Sequence, residues 1–136
     1  MVFAIKAEIH HPLSESFTLN SQKTMYGGKR IAKGDTVFVF ASENEGGTGL
    51  IAKGVVTSSK ATAKKSGIAR QTPRVSISIN VSARAKRPLG RSELKLNSDW
   101  KDGRPETELN FKFYRQATNK IAGISDEAAA YLHGFF

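Results

Sequence analysis

The sequence contains no cysteine, which excludes structural disulfides and thiolate metal sites. It has no apolar run near the ~20 residues of a membrane-spanning helix, and its N-terminal apolar run is too short for a signal peptide. These absences predict a soluble, cytoplasmic protein without a membrane partner. Because the chain has 136 residues, 39% of them hydrophobic, we expect one domain spanning residues 1–136.

Acidic residues are missing from the long central part of the chain between Glu45 and Glu93. The basic residues of this part are Lys53, Lys60, Lys64, Lys65, Arg70, Arg74, Arg84, Lys86, Arg87 and Arg91. Since the whole chain carries a formal net charge of +9, one region of its surface must be strongly positive. Such a field attracts phosphates in a salt-dependent way. We therefore predict that the partner is nucleic acid, RNA or DNA; the alternative is a face that only keeps the protein soluble.

Motifs for catalysis and metal binding are scarce as well. The histidines are His10, His11 and His133, and the first two would point to opposite faces of a regular strand. The glycine-rich segment 46–49 lacks the spacing of a phosphate-binding loop, and no serine lies in a G-x-S-x-G elbow. The sequence therefore predicts no metal and no cofactor, and it favours a binding domain over an enzyme. The alternatives are a metal-independent ribonuclease that uses His10 or His11 and a protein-binding adaptor.

Apolar periodicity predicts strands over residues 2–9, 36–41, 50–57, 74–84 and 108–115. The segment 36–41 is apolar on both faces, which is typical of a buried central strand. The segment 74–84 alternates strictly between apolar and polar residues, which is typical of a strand with one solvated face.

The remaining segments predict loops and helices. Residues 14–30 are expected to form a loop with a short helix near 21–26, and residues 58–72 a mobile basic loop or a frayed helix. A short element is expected at 92–96. Ser125 suits the N-cap of a terminal helix that ends near His133.

Three parts of the sequence resemble the EVE domains, members of the PUA-like group that includes the YTH and ASCH domains. FAIKAE at 3–8 resembles their opening strand, and KGDTVFVFAS at 33–42 with GLIAKGVV at 49–56 is similar to their G-D strand and returning strand. FYRQ at 113–116, followed by IAGIS at 121–125, is similar to their closing segment.

The resemblance implies an α+β fold, a small bent PUA-like β-barrel with flanking helices and a C-terminal helix. It also implies that the chain binds nucleic acid and accommodates a modified or flipped nucleobase in a pocket beside the barrel. Residues 25–30, MYGGKR, replace the tryptophan-containing segment that EVE domains carry before the G-D strand. The ASCH signature G-x-K-x-x-E-x-R is absent.

The residues expected around the base pocket are Tyr26, Ser42, Glu43, Asn44, Trp100, Arg115 and Gln116. Trp100 is the single tryptophan and lies in a polar segment, so we predict that it stacks on a base. Three of these residues have an alternative structural role. Trp100 would cover the barrel end, Tyr26 would pack in a turn, and Arg115 would form an ion pair. Phosphate contacts require charge and reach more than exact geometry. We expect them from Lys29, Arg30, Lys64, Lys65, Arg84, Lys86 and Arg87.

Overall fold

A computed structural model of the chain describes residues 1–68 and 71–136, so that Arg70, one of the basic residues named above, lies outside the described residues. In the described part, the strands are β1 (Val2–Ala7), β2 (Ser16–Met25), β3 (Thr36–Ala41), β4 (Gly49–Ala61), β5 (Arg74–Arg84) and β6 (Lys120–Gly123). The α-helices there are α1 (Arg91–Leu94), α2 (Pro105–Asn110) and α3 (Asp126–His133). A π-helical turn, Phe111–Arg115, follows α2 directly, and 3₁₀ turns occupy Gly28–Arg30 and Glu43–Glu45.

The strands close into a barrel in the order β1, β3, β4, β5, β2, β6. β1 pairs in parallel with β3, and β2 pairs in parallel with β6, whereas the other neighbours are antiparallel. Closure gives each strand a partner on both sides, and the contact between β2 and β6 is confined to Thr24 and Met25 of β2. The expected α+β barrel with flanking helices and a C-terminal helix is therefore confirmed.

Two hydrophobic cores lie on either side of the barrel wall. The first fills the barrel and includes Phe3, Ile5 and Val39. The second lies between the barrel and the helices, where Phe40 stacks on Phe113 at 5.6 Å between ring centroids. β3 contributes to both cores because successive side chains point to opposite faces. The expectation of a central strand buried on both faces is thus confirmed.

The strand predicted over residues 108–115 is wrong, because this segment is helical. Pro105 occupies the first helical turn, where its missing N–H costs nothing. Glu108 and Lys112, four residues apart, form an ion pair of 3.0 Å on the helix surface. Leu109 and Phe113 are fully buried, and their spacing of four residues is typical of one face of a helix. The alternation of apolar residues in the same segment is equally typical of a strand, which explains the wrong prediction.

The loop and short helix predicted over residues 14–30 are also wrong, because β2 occupies most of this segment. Phe17 and Leu19 alternate into the barrel core, but the pairing with β5 then shifts between Leu19 and Gln22. Ser21 lies in this irregularity with a φ of 49°. Since a bulge puts an extra residue into the strand, the alternation changes phase and the apolar pattern is hidden.

The other predicted elements are present, some with shifted ends, whereas β6 was not predicted as a strand. β4 extends to Ala61, so the first residues of the predicted loop 58–72 belong to a strand. The short element expected at 92–96 is the single turn α1. The Ser125 Oγ accepts a hydrogen bond from the Ala128 N–H at 3.0 Å, which confirms the N-cap of the terminal helix. None of the helices in the described ranges is long and apolar enough to cross a membrane.

Candidate nucleic-acid interface

A groove of about 500 Å³ lies where β2 and β4 end and β5 begins, and we call it the basic groove. Its basic lining residues are Lys23, Lys29, Lys64, Lys65 and Arg74. The described residues of its lining include no carboxylate, so the side chains give it a positive potential. Its apolar lining includes Ile68 and Pro73, which provide surface for sugar or base contacts.

A second, more polar recess of about 260 Å³ adjoins the basic groove, and we call it the polar cavity. It is lined by Ser21, Gln22, Lys23, Glu45, Arg74, Ala117, Thr118 and Asn119. Lys23 and Arg74 line both the basic groove and the polar cavity. A ligand can therefore extend from one into the other past two cationic side chains.

Hydrogen bonds hold the rim of the polar cavity in place. Arg74 donates from Nη1 to the Ser21 carbonyl at 2.7 Å, which fixes the bulge of β2 against β5. Asn119 donates from Nδ2 to both carboxylate oxygens of Glu45, at 3.3 and 3.2 Å. Gln22 donates from Nε2 to the Asn20 carbonyl at 2.8 Å. These bonds use the N–H groups of the two amides, so the oxygens of Glu45, Asn119 and Gln22 are left as acceptors at the rim.

Two buried lysines, Lys6 and Lys120, lie beside this cavity, and we call them the lysine pair. They are direct partners across β1 and β6, with side chains 1% and 0% exposed. Lys6 donates to the Phe113 carbonyl at 2.6 Å, and Lys120 donates to the carbonyls of Gln116 and Thr118 at 3.2 and 3.1 Å. The lysine pair therefore holds the segment that leads from α2 into the wall of the polar cavity.

Burial lowers the pKa of both lysines because the charged form loses its hydration. For Lys120 the pKa falls to about 8, with the positive charge of Lys6 as a second cause. For Lys6 the carboxylate of Glu43 acts in the opposite direction but does not cancel the effect of burial. The Lys120 amine beside the polar cavity is therefore partly neutral near physiological pH.

The predicted site residues Ser42, Glu43 and Asn44 lie in the loop after β3. Glu43 accepts hydrogen bonds from the Tyr114 hydroxyl at 3.1 Å and from the Arg91 N–H at 2.7 Å. Asn44 accepts from the Arg91 guanidinium at 2.7 Å. These contacts tie the loop to α1 and to the π-helical turn, and neither Glu43 nor Asn44 lines the basic groove or the polar cavity.

Ser42 itself is buried, with an Oγ that has no hydrogen-bond partner among the described residues. This hydroxyl approaches the Glu45 carboxylate and is the main cause of the lowered pKa of Glu45, although the pair does not reach hydrogen-bond geometry. Gln116 contributes its backbone carbonyl to Lys120. Neither Ser42 nor Gln116 lines the polar cavity.

Three other predicted site residues, Tyr26, Trp100 and Arg115, meet around Phe111, and we call these four residues the aromatic cluster. The ring centroids of Trp100 and Phe111 are 5.5 Å apart, and those of Tyr26 and Phe111 are 6.4 Å apart, both edge to face. The Arg115 guanidinium lies 5.1 Å from the Trp100 ring centroid and 5.0 Å from that of Phe111. A shallow recess of about 260 Å³ beside Trp100 and Phe111 gives this cluster an open face.

Sequence reasoning missed Phe111, the centre of the aromatic cluster, and Glu45 and Asn119 of the polar cavity. Phe111 and Arg115 are four residues apart, a spacing that places both side chains on one face of a helix. The same spacing also places them on one face of a strand, so it did not distinguish the two structures. No sequence signal pairs Glu45 with Asn119, because the contact joins two loops that are distant in the chain.

The residues predicted to bind phosphate divide into two groups. Lys29, Lys64 and Lys65 line the basic groove, and Arg30 is exposed in the 3₁₀ turn next to it. Lys86 and Arg87 lie near the far end of β5. There the Arg84 guanidinium donates to the carbonyls of Pro12, Leu13 and Ser14, and the Arg87 guanidinium lies 4.2 Å from the Phe135 ring centroid.

The histidines do not converge on one place. His10 and His11 are exposed after β1, where His10 Nε2 lies 3.7 Å from Glu8 Oε1. His133 Nδ1 lies 3.1 Å from the Lys53 Nζ, and its ring packs on Phe38. Among residues 1–68 and 71–136, no group of three or more His, Asp or Glu side chains could hold a metal ion.

Comparison with known proteins shows the fold. The DUF55 domain of human thymocyte nuclear protein 1 superposes with a TM-score of 0.67 and 11% identity, covering 98% of this chain and 97% of that chain. Human THYN1 in complex with DNA containing 5-methylcytosine gives a TM-score of 0.66 and 11% identity, covering 98% and 95%. Protein PSPTO5229 from Pseudomonas syringae gives a TM-score of 0.61 and 14% identity, covering 100% of both chains.

The sequence matches no protein-family model and no curated protein. At 11–14% identity, the likeness to the solved structures concerns the fold alone. The resemblance to EVE domains that the sequence suggested is confirmed at this level, because the chain has the fold of the DUF55 domain over almost its whole length.

Proposed function

We propose that this chain, which has the fold of the EVE type of PUA-like domain, binds nucleic acid and holds a single nucleobase beside its barrel. The observation that carries the proposal is the continuity of the basic groove with the polar cavity, which share Lys23 and Arg74. A nucleic-acid strand needs both features at once: cations along its phosphates and a recess for a base that has left the stack.

The basic groove supplies the sequence-independent part of the binding. Its five basic side chains can each neutralise one phosphate and release the counterions condensed there. Lys64 and Lys65 lie in an exposed segment after β4, from which long side chains can reach a backbone without a fixed geometry.

The polar cavity supplies selectivity among bases. Its rim presents the carboxylate of Glu45 and the amide oxygens of Gln22 and Asn119. Acceptors of this kind recognise an exocyclic amine, and a carboxylate suits the N4 amine of cytosine. Ala117 in the same lining offers an apolar contact for a methyl group at C5 of a pyrimidine. We infer that cytosine and its C5-methylated form are the preferred bases.

The comparison with human THYN1 supports this choice. That protein was solved with DNA containing 5-methylcytosine, and it shares this fold over almost the whole chain. The proposal therefore extends a partner known for one protein of this fold to the present chain. The positions of the histidines also favour binding over the ribonuclease alternative, because they lie apart from the basic groove and the polar cavity.

The test uses Glu45→Gln and a set of labelled oligonucleotides that carry one cytosine, 5-methylcytosine, thymine or uracil at a fixed unpaired position. Wild type is expected to prefer the two amine-bearing bases by roughly tenfold, since one good base contact discriminates by ~1–3 kcal/mol. The variant should lose this preference, because an amide can present either an acceptor or a donor to the base. Fluorescence anisotropy measures the four dissociation constants.

Glu15→Gln is the matched control, because it removes the same charge from an exposed residue that does not line the polar cavity. Glu15→Gln should therefore keep the base preference of wild type. A preference that is equal in wild type and Glu45→Gln would contradict the role of the polar cavity, and an absence of binding to all four probes would contradict the proposed function itself.

A further inference from the structure

The aromatic cluster has no part in the basic groove or the polar cavity, yet it has the composition of a base-stacking surface. Trp100 is 40% exposed and Tyr26 is 38% exposed, although both are large rings. They flank the less exposed Phe111, so the aromatic cluster joins the turn after β2, the π-helical turn after α2 and the loop before α2. A recess beside Trp100 and Phe111 opens onto this surface.

The backbone holds the cluster in a conformation that the sequence does not favour. Tyr26 has a φ of 53°, in the left-handed region that non-glycine residues rarely adopt, and Gly27 follows with a φ of 80°. Phe111 and Arg115 belong to the π-helical turn after α2. Both features are frequent at binding sites, where strain and rare helical turns are retained because they position side chains.

The positive charge of Arg115 is not neutralised locally. Its guanidinium lies over the rings of Trp100 and Phe111 but makes no ion pair with any carboxylate among residues 1–68 and 71–136. The N–H donors of a guanidinium point outward in its own plane. When the guanidinium stacks on an aromatic ring, these donors stay free to bind a phosphate.

The carboxylates nearest the cluster are engaged with their own neighbours. Glu106 pairs with Arg104, and Glu108 pairs with Lys112 and accepts from Ser125. Asp102 accepts from the Thr107 hydroxyl and from the Arg104 N–H, and Asp99 accepts from the Lys101 N–H. These contacts reduce the repulsion that a phosphate approaching Arg115 would meet, and the Lys112 ammonium, 5.1 Å from the Tyr26 ring centroid, is a further cation at the cluster.

We propose that the aromatic cluster is a second nucleic-acid contact, at which an unpaired base stacks on Trp100 and the adjoining phosphate binds Arg115. The ligand class is single-stranded DNA or RNA, because a base inside a duplex has no face available for stacking. This inference rests on the proposed function, and it adds a stacking site outside the basic groove and the polar cavity.

Trp100 provides the readout, because it is the only tryptophan of the chain. Wild type is titrated with a single-stranded oligonucleotide and with the same sequence as a duplex, while intrinsic fluorescence and the anisotropy of a labelled probe are recorded. The single strand should quench Trp100 emission and the duplex should not. Trp100→Ala should weaken single-strand binding by about ten- to a hundredfold, in line with the stacking of one base.

Two further variants separate stacking from charge and from folding. Trp100→Phe should restore a large part of the affinity, and Arg115→Met should weaken binding while lowering the slope of log K against log salt concentration by about 1. Lys64→Ala with Lys65→Ala should weaken the single strand and the duplex alike and leave the quenching at saturation unchanged.

Unchanged emission on saturation together with wild-type affinity of Trp100→Ala would overturn the stacking site, and would instead assign the cluster to packing or to a protein contact. In that case binding of both probes by wild type would leave the proposed function standing. Absence of binding to either probe would overturn both.

Discussion

Lys6 and Lys120 are the single residues whose environment differs most from that of ordinary lysines. Their side chains are buried between β1, β6 and the segment after α2, where backbone carbonyls rather than carboxylates accept their hydrogen bonds. Two ammonium groups in neighbouring positions repel each other, and burial removes the water that would screen them. The lysine pair is therefore least stable when both members are charged.

This arrangement predicts that the folded state becomes more stable as pH rises. The pKa of Lys120 is about 8 in the folded protein and 10.5 as its ordinary value. Between these values the unfolded chain binds a proton that the folded chain does not, so the free energy of unfolding increases with pH. At ~1.4 kcal/mol per pKa unit, the total effect is up to about 3 kcal/mol. Urea denaturation between pH 7.5 and 9.5 measures the rising part.

The comparison of Lys120→Met with Lys33→Met tests whether Lys120 causes this rise of stability with pH. The first variant removes the buried amine and should flatten the rise, whereas the second removes an exposed lysine from a turn and should follow wild type. The slope against pH is the relevant quantity, since Lys120→Met also leaves two backbone carbonyls without their donor. A slope in Lys120→Met as steep as that of wild type would contradict the account of the lysine pair.

At the residue scale, the sequence is informative about the chemistry of single side chains but not about which of them meet. Trp100 in a polar segment suggested an exposed aromatic residue, and the structure places it at 40% exposure with Arg115 over its ring. Glu45 and Asn119 could not be recognised, because neither residue type nor spacing shows that two loops meet. Their pairing depends on the closure of the barrel between β1 and β6.

Among the elements, α3 shows how one cap connects two helices. Ser125 accepts a hydrogen bond from the Ala128 N–H, and its own hydroxyl and N–H donate to Glu108 of α2. Burial alone would raise the pKa of Glu108, but the hydrogen bonds from Ser125 and Lys112 outweigh it and lower the pKa. The cap of α3 thus also keeps a half-buried carboxylate of α2 charged.

Ser125→Ala should therefore destabilise the protein by about 1–2 kcal/mol, the value of an N-cap together with part of a hydrogen bond to a charged group. Ser82→Ala is the control, because Ser82 is exposed on β5 and its substitution should change stability by less than about 0.5 kcal/mol. Chemical denaturation monitored by the circular dichroism of the helices compares the two. Equal stability of the two variants would show that the cap contributes nothing measurable.

The elements that sequence patterns predicted wrongly are those in which local geometry changes the period. In β2 the irregularity at Ser21 shifts the alternation, so the strand resembled a polar loop. In α2 and the turn after it, Leu109, Phe111 and Phe113 alternate as in a strand, although the helix buries the first and the last of them fully. β3 was predicted correctly from its continuous apolar run, and β5 from an alternation that continues along the whole element.

On the scale of the whole molecule, the basic residues are separated by the length of β5. The basic groove lies at its beginning, near Arg74, and Lys86 and Arg87 lie beyond its end at Arg84. At ~3.3 Å per residue, the 11 residues of β5 span roughly 35 Å. In the sequence this positive charge lies in one acid-free stretch, but the barrel places it in two separate regions of the surface.

We predict that the two basic regions contribute unequally to nucleic-acid binding. Lys64→Ala with Lys65→Ala should lower the magnitude of the slope of log K against log salt by about 1–2, since each lysine contacts at most one phosphate. Lys86→Ala with Arg87→Ala removes the same charge but should change the slope by much less, because these residues lie away from the basic groove. Equal loss in both double variants would mean that net charge alone determines binding.

The central claim, that this barrel binds nucleic acid through its basic groove, is tested most directly by the affinity of wild type at increasing salt concentration. The measurement is the dissociation constant for a labelled single strand containing 5-methylcytosine, between 50 and 200 mM salt. Five neutralised phosphates give a slope of roughly −3.5, and hence roughly a hundredfold weaker binding across this range. No binding at the low-salt end, or an affinity that does not change with salt, would contradict the account.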